Sequence, residues 1–191
     1  MNTKQNYIKL PLPLTKEKTA SLKCGDAVLL TGVIYTARDA AHKQMVDLLD
    51  AGKELPFTIN DAVIYYVGPT PNKPDRIIGS AGPTTATRMD IFTPRLLNEG
   101  LLGMIGKGKR SPEVIKSIMQ HKAIYFGAPG GVGVLLSDKI VKKDVVAFED
   151  LGSEALFRLE VKDFPVTVII DANGNNLYEI GIKNYLSTKT P

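Results

Sequence analysis

Short apolar runs alternate with amphipathic stretches through the middle of the chain, and this alternation limits the fold more than any other feature. Ala27 to Tyr35 (AVLLTGVIY), Ala62 to Val67, Leu101 to Ile105 and Ala123 to Phe126 read as buried strands. Gly32 marks a bend in the first, and Arg76 to Gly79 reads as a further short strand. Ala37 to Leu49 places Ala41, Met45, Leu48 and Leu49 on one face of a helix that Gly52 ends. A second helix runs from the Thr84–Asp90 stretch through Leu97, with Pro94 as a break before Gly100. Ser111-Pro112-Glu113 opens a third, with Ser at the N-cap and Pro at the first position. Val145 to Phe148 and Pro165 to Ile170 are later strands, and Asp171-Ala172-Asn173-Gly174 predicts a hairpin turn into Leu177-Tyr178. Residues 1–26 carry little periodicity; Pro11 and Pro13 predict an extended arm ahead of a turn at Cys24-Gly25-Asp26. The pattern is that of an α/β domain with a mixed sheet and flanking helices. At 191 residues a single domain over 1–191 is expected, with flexible termini at about 1–7 and 187–191.

Composition removes several function classes. No run of ~18 apolar residues suggests a membrane span, and the start lacks the apolar core of a secretory signal, so a cytoplasmic protein is expected. One cysteine, Cys24, excludes an internal disulfide and any metal cluster held by several thiolates of this chain. The net charge of +4 is mild, and no aromatic-basic interleaving points to nucleic acid. A small anionic ligand fits this balance.

The chemistry-bearing residues lie where strands give way to helices. Ser80-Ala81-Gly82-Pro83-Thr84-Thr85-Ala86-Thr87-Arg88-Met89-Asp90 gathers hydroxyls and a guanidinium at an expected helix start, with Thr84 or Thr85 as N-cap. Arg88 opposes the helix dipole there, so a negative group, such as a bound anion, is expected to compensate it. An ordinary capped helix with a solvated Arg88 accounts for the same residues. In Thr36-Ala37-Arg38-Asp39-Ala40-Ala41-His42, Arg38 and His42 are four apart and share a helix face; pairing of Arg38 with Asp39 and simple packing of His42 are the plainer alternatives. Gly106-Lys107-Gly108 sets a cation between glycines at a strand end, either as a point charge for a carboxylate or as a solvated lysine beside Lys109 and Arg110. Residues 127–133 are glycine-rich but match neither phosphate-loop pattern, so tight packing is the favoured reading. Arg38, Thr84 with Arg88, and Lys107 each follow an apolar run at its C-terminal end, the edge where open α/β sheets gather ligands. Three cations and a hydroxyl there suit a small di-anion. No Ser-His-Asp set, partnered acid–base carboxylate or metal-ligand spacing accompanies them. The set is half a site.

Thr36-Ala37-Arg38-Asp39-Ala40-Ala41-His42-Lys43, Gly82-Pro83-Thr84-Thr85 with Arg88-Met89-Asp90, Gly106-Lys107-Gly108 and Asp163-Phe164-Pro165-Val166 together resemble the β subunit of class I iron–sulfur fumarate hydratase, a family that includes the β subunit of L-tartrate dehydratase. The likeness runs from about residue 8 to about 186. It implies a swivelling β/β/α domain and a hetero-oligomer with an α subunit whose three cysteines hold a 4Fe-4S cluster, its unligated iron acting as a Lewis acid. It implies that Arg38, Thr85, Arg88 and Lys107 contact a small dicarboxylate, and that Thr84 stands near the proton-transfer position. Asp39 and His42 would support them. A free threonine hydroxyl is too weak an acid to act alone, so an Asp of the α subunit would help. Ala86-Thr87 and Lys109 depart from the Ser-Gly and Asn common in relatives and leave fumarate and tartrate both open. Outside this resemblance stand a non-catalytic anion-binding or regulatory module and a nucleotide binder using residues 127–133.

Overall fold

The computed structural model describes residues 6–71, 74, 76–128 and 133–187. Five strands run parallel in spatial order: β1 (Ile8–Pro11), β2 (Ala27–Thr36), β3 (Val63–Tyr65), β4 (Gly103–Gly106) and β5 (Ile124–Gly127). β3 and β4 are buried at every residue, as expected of parallel strands covered on both faces. The 15-residue β7 (Leu156–Ile170) runs antiparallel along β2, and its C-terminal half also pairs with β5. The pairings β2–β3–β4–β5–β7 therefore return to β2 and close a ring. β6 (Ile140–Ala147) pairs with the N-terminal half of β7.

The expected bend in β2 is present. The β2–β7 register shifts between Leu30 and Gly32, and Gly32 adopts φ 135°, where a Cβ would also press within 2.8 Å of Leu12. Opposite, Asp163 turns to φ 50° and its N–H donates to the Thr31 hydroxyl at 3.0 Å. The Asp163-Phe164-Pro165-Val166 motif thus serves the ring closure, and Phe164 packs edge-on against Tyr65 in the core.

Four helices match the pattern in different degrees. α2 (Asp39–Asp50) buries Ala41, His42 and Met45. α4 (Pro112–His121) opens at Ser111, whose hydroxyl accepts the Val114 N–H at 3.3 Å. The helix expected through Leu97 is instead a 3-10 turn, Ala86–Met89, followed by α3 (Thr93–Asn98). Pro94 lies in the first turn of α3, where it starts a helix rather than breaking one. α5 (Gly133–Ser137) follows the glycine-rich stretch, of which 129–132 lie outside the described residues.

Other expectations fail for local reasons. The amino-terminal arm contains β1 and a short α1 (Lys16–Ser21) capped by Thr15. Arg76 to Gly79 is not a strand; Thr70 and Ser80 clasp this loop through N–H bonds of 3.1 and 2.8 Å. β6 and β7 both start earlier than expected; in β7, Pro165 masks an alternation that runs from Leu156. The Asp171–Gly174 turn forms, but only a single bridge, Ile170 to Asn176, follows it. Asn176 then caps α6 (Leu177–Ser187), accepting the Tyr178 N–H and donating to Glu179. The termini expected to be flexible fall largely outside the described residues. Among the described residues no helix is long and apolar enough to cross a membrane.

Candidate functional site

Because β1 to β5 are parallel, their C-terminal ends share one rim, and this rim carries the cationic residues. β2 passes through Ala37, whose N–H still bonds Tyr65 O at 3.2 Å, and delivers Arg38 as the extended N-cap of α2. Arg38 lies across Gly68: a Cβ there would sit 2.9 Å from one terminal guanidinium nitrogen and 3.0 Å from Cδ. Only a bare backbone admits the side chain in that position.

Thr84 and Thr85 do not continue a strand of their own, contrary to the sequence expectation. They slot between the diverging ends of β3 and β4. The Thr84 N–H donates to Tyr66 O at 2.7 Å, the Lys107 N–H to Thr84 O at 3.2 Å, and the Ala86 N–H to Lys107 O at 2.8 Å. Thr85 and Lys107 form an isolated parallel bridge. The expected free N–H groups of a helix N-terminus are therefore partly consumed in this ladder, and Thr85 has no side-chain capping bond. The segment needs room: a Cβ on Gly106 would meet Tyr66 at 2.9 Å and Ala86 at 3.2 Å. Thr84 and Lys107 are thereby fixed as neighbours, and Arg88 follows one short turn later.

Arg88 finds its compensating charge within the chain. Its Nε stands 2.9 Å from Asp39 Oδ1, while Asp39 Oδ2 lies 3.8 Å from a terminal nitrogen of Arg38. The other terminal nitrogen of Arg38 pairs with Glu154 at 3.2 Å. Asp39 occupies the first turn of α2, where a carboxylate complements the helix dipole. Arg38, Arg88 and Lys107 against Asp39 and Glu154 leave one net positive charge. Arg38 Nε and Asp39 Oδ2 are both buried without a hydrogen bond among the described residues.

His42 supports Arg38 from below. Its Nδ1 bonds Arg38 O at 2.9 Å, so the proton sits on Nδ1 and Nε2 is left as a buried, unpartnered acceptor. Burial holds its pKa down at about 4; the bond to Arg38 O offsets this in part, and the Arg110 charge deepens it. His42 is thus neutral at pH 7.

Sequence reasoning missed the group that holds this rim together. Arg110, expected as one of a run of surface cations, has a side chain with 0% exposure. Its Nε donates to Asp90 at 2.7 Å, and its terminal nitrogens reach Thr93 Oγ1 at 2.7 Å and Tyr66 Oη at 3.3 Å. Asp90 also accepts the Ser111 N–H at 2.6 Å, and Tyr125 Oη donates to Gly108 O at 3.1 Å. Nothing in the local sequence separates Arg110 from exposed Lys107 and Lys109. The surface clefts lined by Arg76, Ile78 and Ser137 and by Leu49, Phe57 and Ile59 lie apart from this rim. On the rim, Arg88 and Lys107 are exposed.

Cys24 lies beyond the opposite end of β2, whose ten residues span about 30 Å. Its thiol donates to Ile169 O at 3.4 Å, and burial, with the nearby Asp171 and Asp26 charges, raises its pKa. No three His, Cys, Asp or Glu side chains group to hold a metal among the described residues. With one cysteine in its sequence, the chain lacks the several thiolates that hold a 4Fe-4S cluster.

The rim gathers three cations, two carboxylates and two threonines at one edge of a mixed α/β domain. The family described as Fumarase C-terminus matches residues 1–181, and the chain belongs to it. It is 38% identical over 172 residues to a Methanocaldococcus jannaschii protein carrying the provisional name L(+)-tartrate dehydratase subunit beta, covering 87% of this chain and 88% of that one. It is 41% identical over 152 residues to the anaerobic class I fumarate hydratase of Escherichia coli, and 37% over 172 residues to the mitochondrial fumarate hydratase 1 of Leishmania major. The chain spans only 28% and 31% of those two longer proteins. These relatives are named for hydration and dehydration, the chemistry of hydro-lyases.

Proposed function

We propose that this chain is the β subunit of a two-subunit iron–sulfur hydro-lyase that interconverts fumarate and (S)-malate, working in the cytoplasm with an α subunit. The observation that carries this reading is the meeting of Arg38, Thr84, Thr85, Arg88 and Lys107 on one open rim, in a family whose members are named for this reaction. Since one cysteine cannot hold the cluster, the α subunit supplies its thiolates.

In dehydration, (S)-malate loses a proton from C3 and hydroxide from C2; in hydration both are returned to fumarate. When the C3 proton leaves, negative charge spreads onto the neighbouring carboxylate. Arg38, Arg88 and Lys107 contact the carboxylates and bind that growing charge more strongly than the ground state, which is what accelerates the step. Thr84, backbone-locked between Tyr66 and Lys107, holds its hydroxyl at the carbon that exchanges the proton, and Thr85 steadies the carboxylate beside it. A carboxylate from the α subunit takes the proton onward, because threonine at pH 7 needs a base.

The test is reconstitution. The isolated chain should not hydrate fumarate, and activity should appear with the α partner and an intact cluster. Substantial hydration by this polypeptide alone overturns the division of labour. L-tartrate is the second reading, favoured by the end-to-end match to the M. jannaschii subunit. Comparing kcat/KM for both acids on the reconstituted pair decides between them, since tartrate carries an extra hydroxyl that the site must accommodate.

A further inference from the structure

We infer that Asp39 is a positioning residue that aims the arginines, Arg88 above all, and so sets affinity for the di-acid; this rests on the di-acid reading above. Arg88 is 54% exposed and reaches out from a single 3-10 turn, so by itself it would sample many rotamers. Asp39 takes its Nε edge at 2.9 Å. A guanidinium has five N–H donors in a planar fork, so holding the Nε side leaves the terminal pair turned outward, the geometry for two parallel bonds to a carboxylate. Asp39 is well placed to do this. It sits in the first turn of the 12-residue α2, whose dipole favours its charge, and the His42 bond to Arg38 O braces that same turn.

The second oxygen marks the arrangement as incomplete. Asp39 Oδ2 is buried, faces Arg38 only at 3.8 Å, and has no hydrogen bond among the described residues; Arg38 Nε is buried and equally unmatched. Buried polar atoms are nearly always satisfied, so the unmatched Oδ2, with a terminal nitrogen of Arg38 3.8 Å away, points to an arrangement that tightens when the wall is occupied. Closing the 3.8 Å gap would bring Arg38 onto the same carboxylate that already aims Arg88. Asp39 would then set the spacing of both forks with one side chain.

The experiment is a double-mutant cycle on the reconstituted αβ pair. Asp39→Ala should raise KM for the di-acid by ~10-fold or more with a smaller change in kcat, the mark of lost pre-organised binding. Asp39→Asn keeps an acceptor for Nε and should recover most of the loss. In an Arg88→Ala background, Asp39→Ala should raise KM by clearly less than it does in the wild-type background, since only its action on Arg38 remains. Equal effects in both backgrounds, or an Asp39→Ala enzyme with unchanged KM, overturn the inference. A wild-type pair inactive on fumarate and tartrate would instead defeat the di-acid reading. The inference then stands on a second measurement: nitrogen-15 spectra of the isolated chain should show a protected Arg88 Nε–H that Asp39→Ala abolishes and Asp39→Asn keeps. An unprotected Nε–H in the wild-type chain overturns it.

Discussion

Arg88 and Arg110 flank the same short segment and could hardly be placed more differently. Arg110 is sealed under the rim, bonded to Asp90, Thr93 and Tyr66 and stacked 5.0 Å from the Tyr125 ring centroid. Arg88 stands in the open with one ion-pair partner among the described residues. A fully bonded buried guanidinium has no capacity left for a ligand, whereas an exposed one held by its Nε edge keeps the end that a carboxylate needs. The difference separates the cation that builds the wall from the cations that use it.

The comparison breaks first at Arg110. Arg110→Ala should destabilise the chain by about 3–5 kcal/mol in urea unfolding, because it strands Asp90 as an uncompensated, largely buried charge. A loss under ~1 kcal/mol would place the two arginines in one class after all. His42 sharpens the buried side. It is neutral in the fold with a pKa of about 4 against an ordinary 6.5, so between those values the unfolded chain binds the extra proton. Its contribution is complete above pH 6.5 and is lost as the pH falls toward 4, a span worth roughly 3 kcal/mol. Unfolding free energy measured across that range should flatten in His42→Gln. On the open side, Arg88→Ala should leave stability within ~1 kcal/mol yet cut kcat/KM of the reconstituted enzyme by ~100-fold or more. Smallest is Gly106→Ala. Its methyl would press on Tyr66 and Ala86 and should cost about 1–3 kcal/mol, loosening the slot that seats Thr84.

Much of the rim was legible in the sequence because a turn residue or a cation stands at the end of an apolar run. Arg38 and Lys107 follow β2 and β4 as expected, and α4 begins at its Ser-Pro signal. Thr84 and Thr85 were legible as a group but not in their setting. Their ladder partners, Tyr66 and Lys107, are distant in sequence, and no local pattern encodes a segment wedged between two strands. The same limit hid Arg110 and Glu154, whose partners lie on other elements. Asp39 was visible as a neighbour of Arg38, but its closer bond, to Arg88, is a tertiary fact. Pro165 hides the start of β7, and the Asp171–Gly174 turn signal hides the Asn176–Glu179 cap that opens α6.

The closed β2–β3–β4–β5–β7 circuit has a consequence for how another protein can join this one. Among the described residues β1 and β6 keep an unpaired flank, and neither welcomes a visiting strand. β1 has four residues and ends in Pro11, while β6 carries Lys142, Lys143 and Asp144 and twice slips register against β7. Backbone recruitment of the kind used by sheet-extending complexes is thereby discouraged. A companion chain of the kind proposed would then join through side chains rather than through a shared sheet.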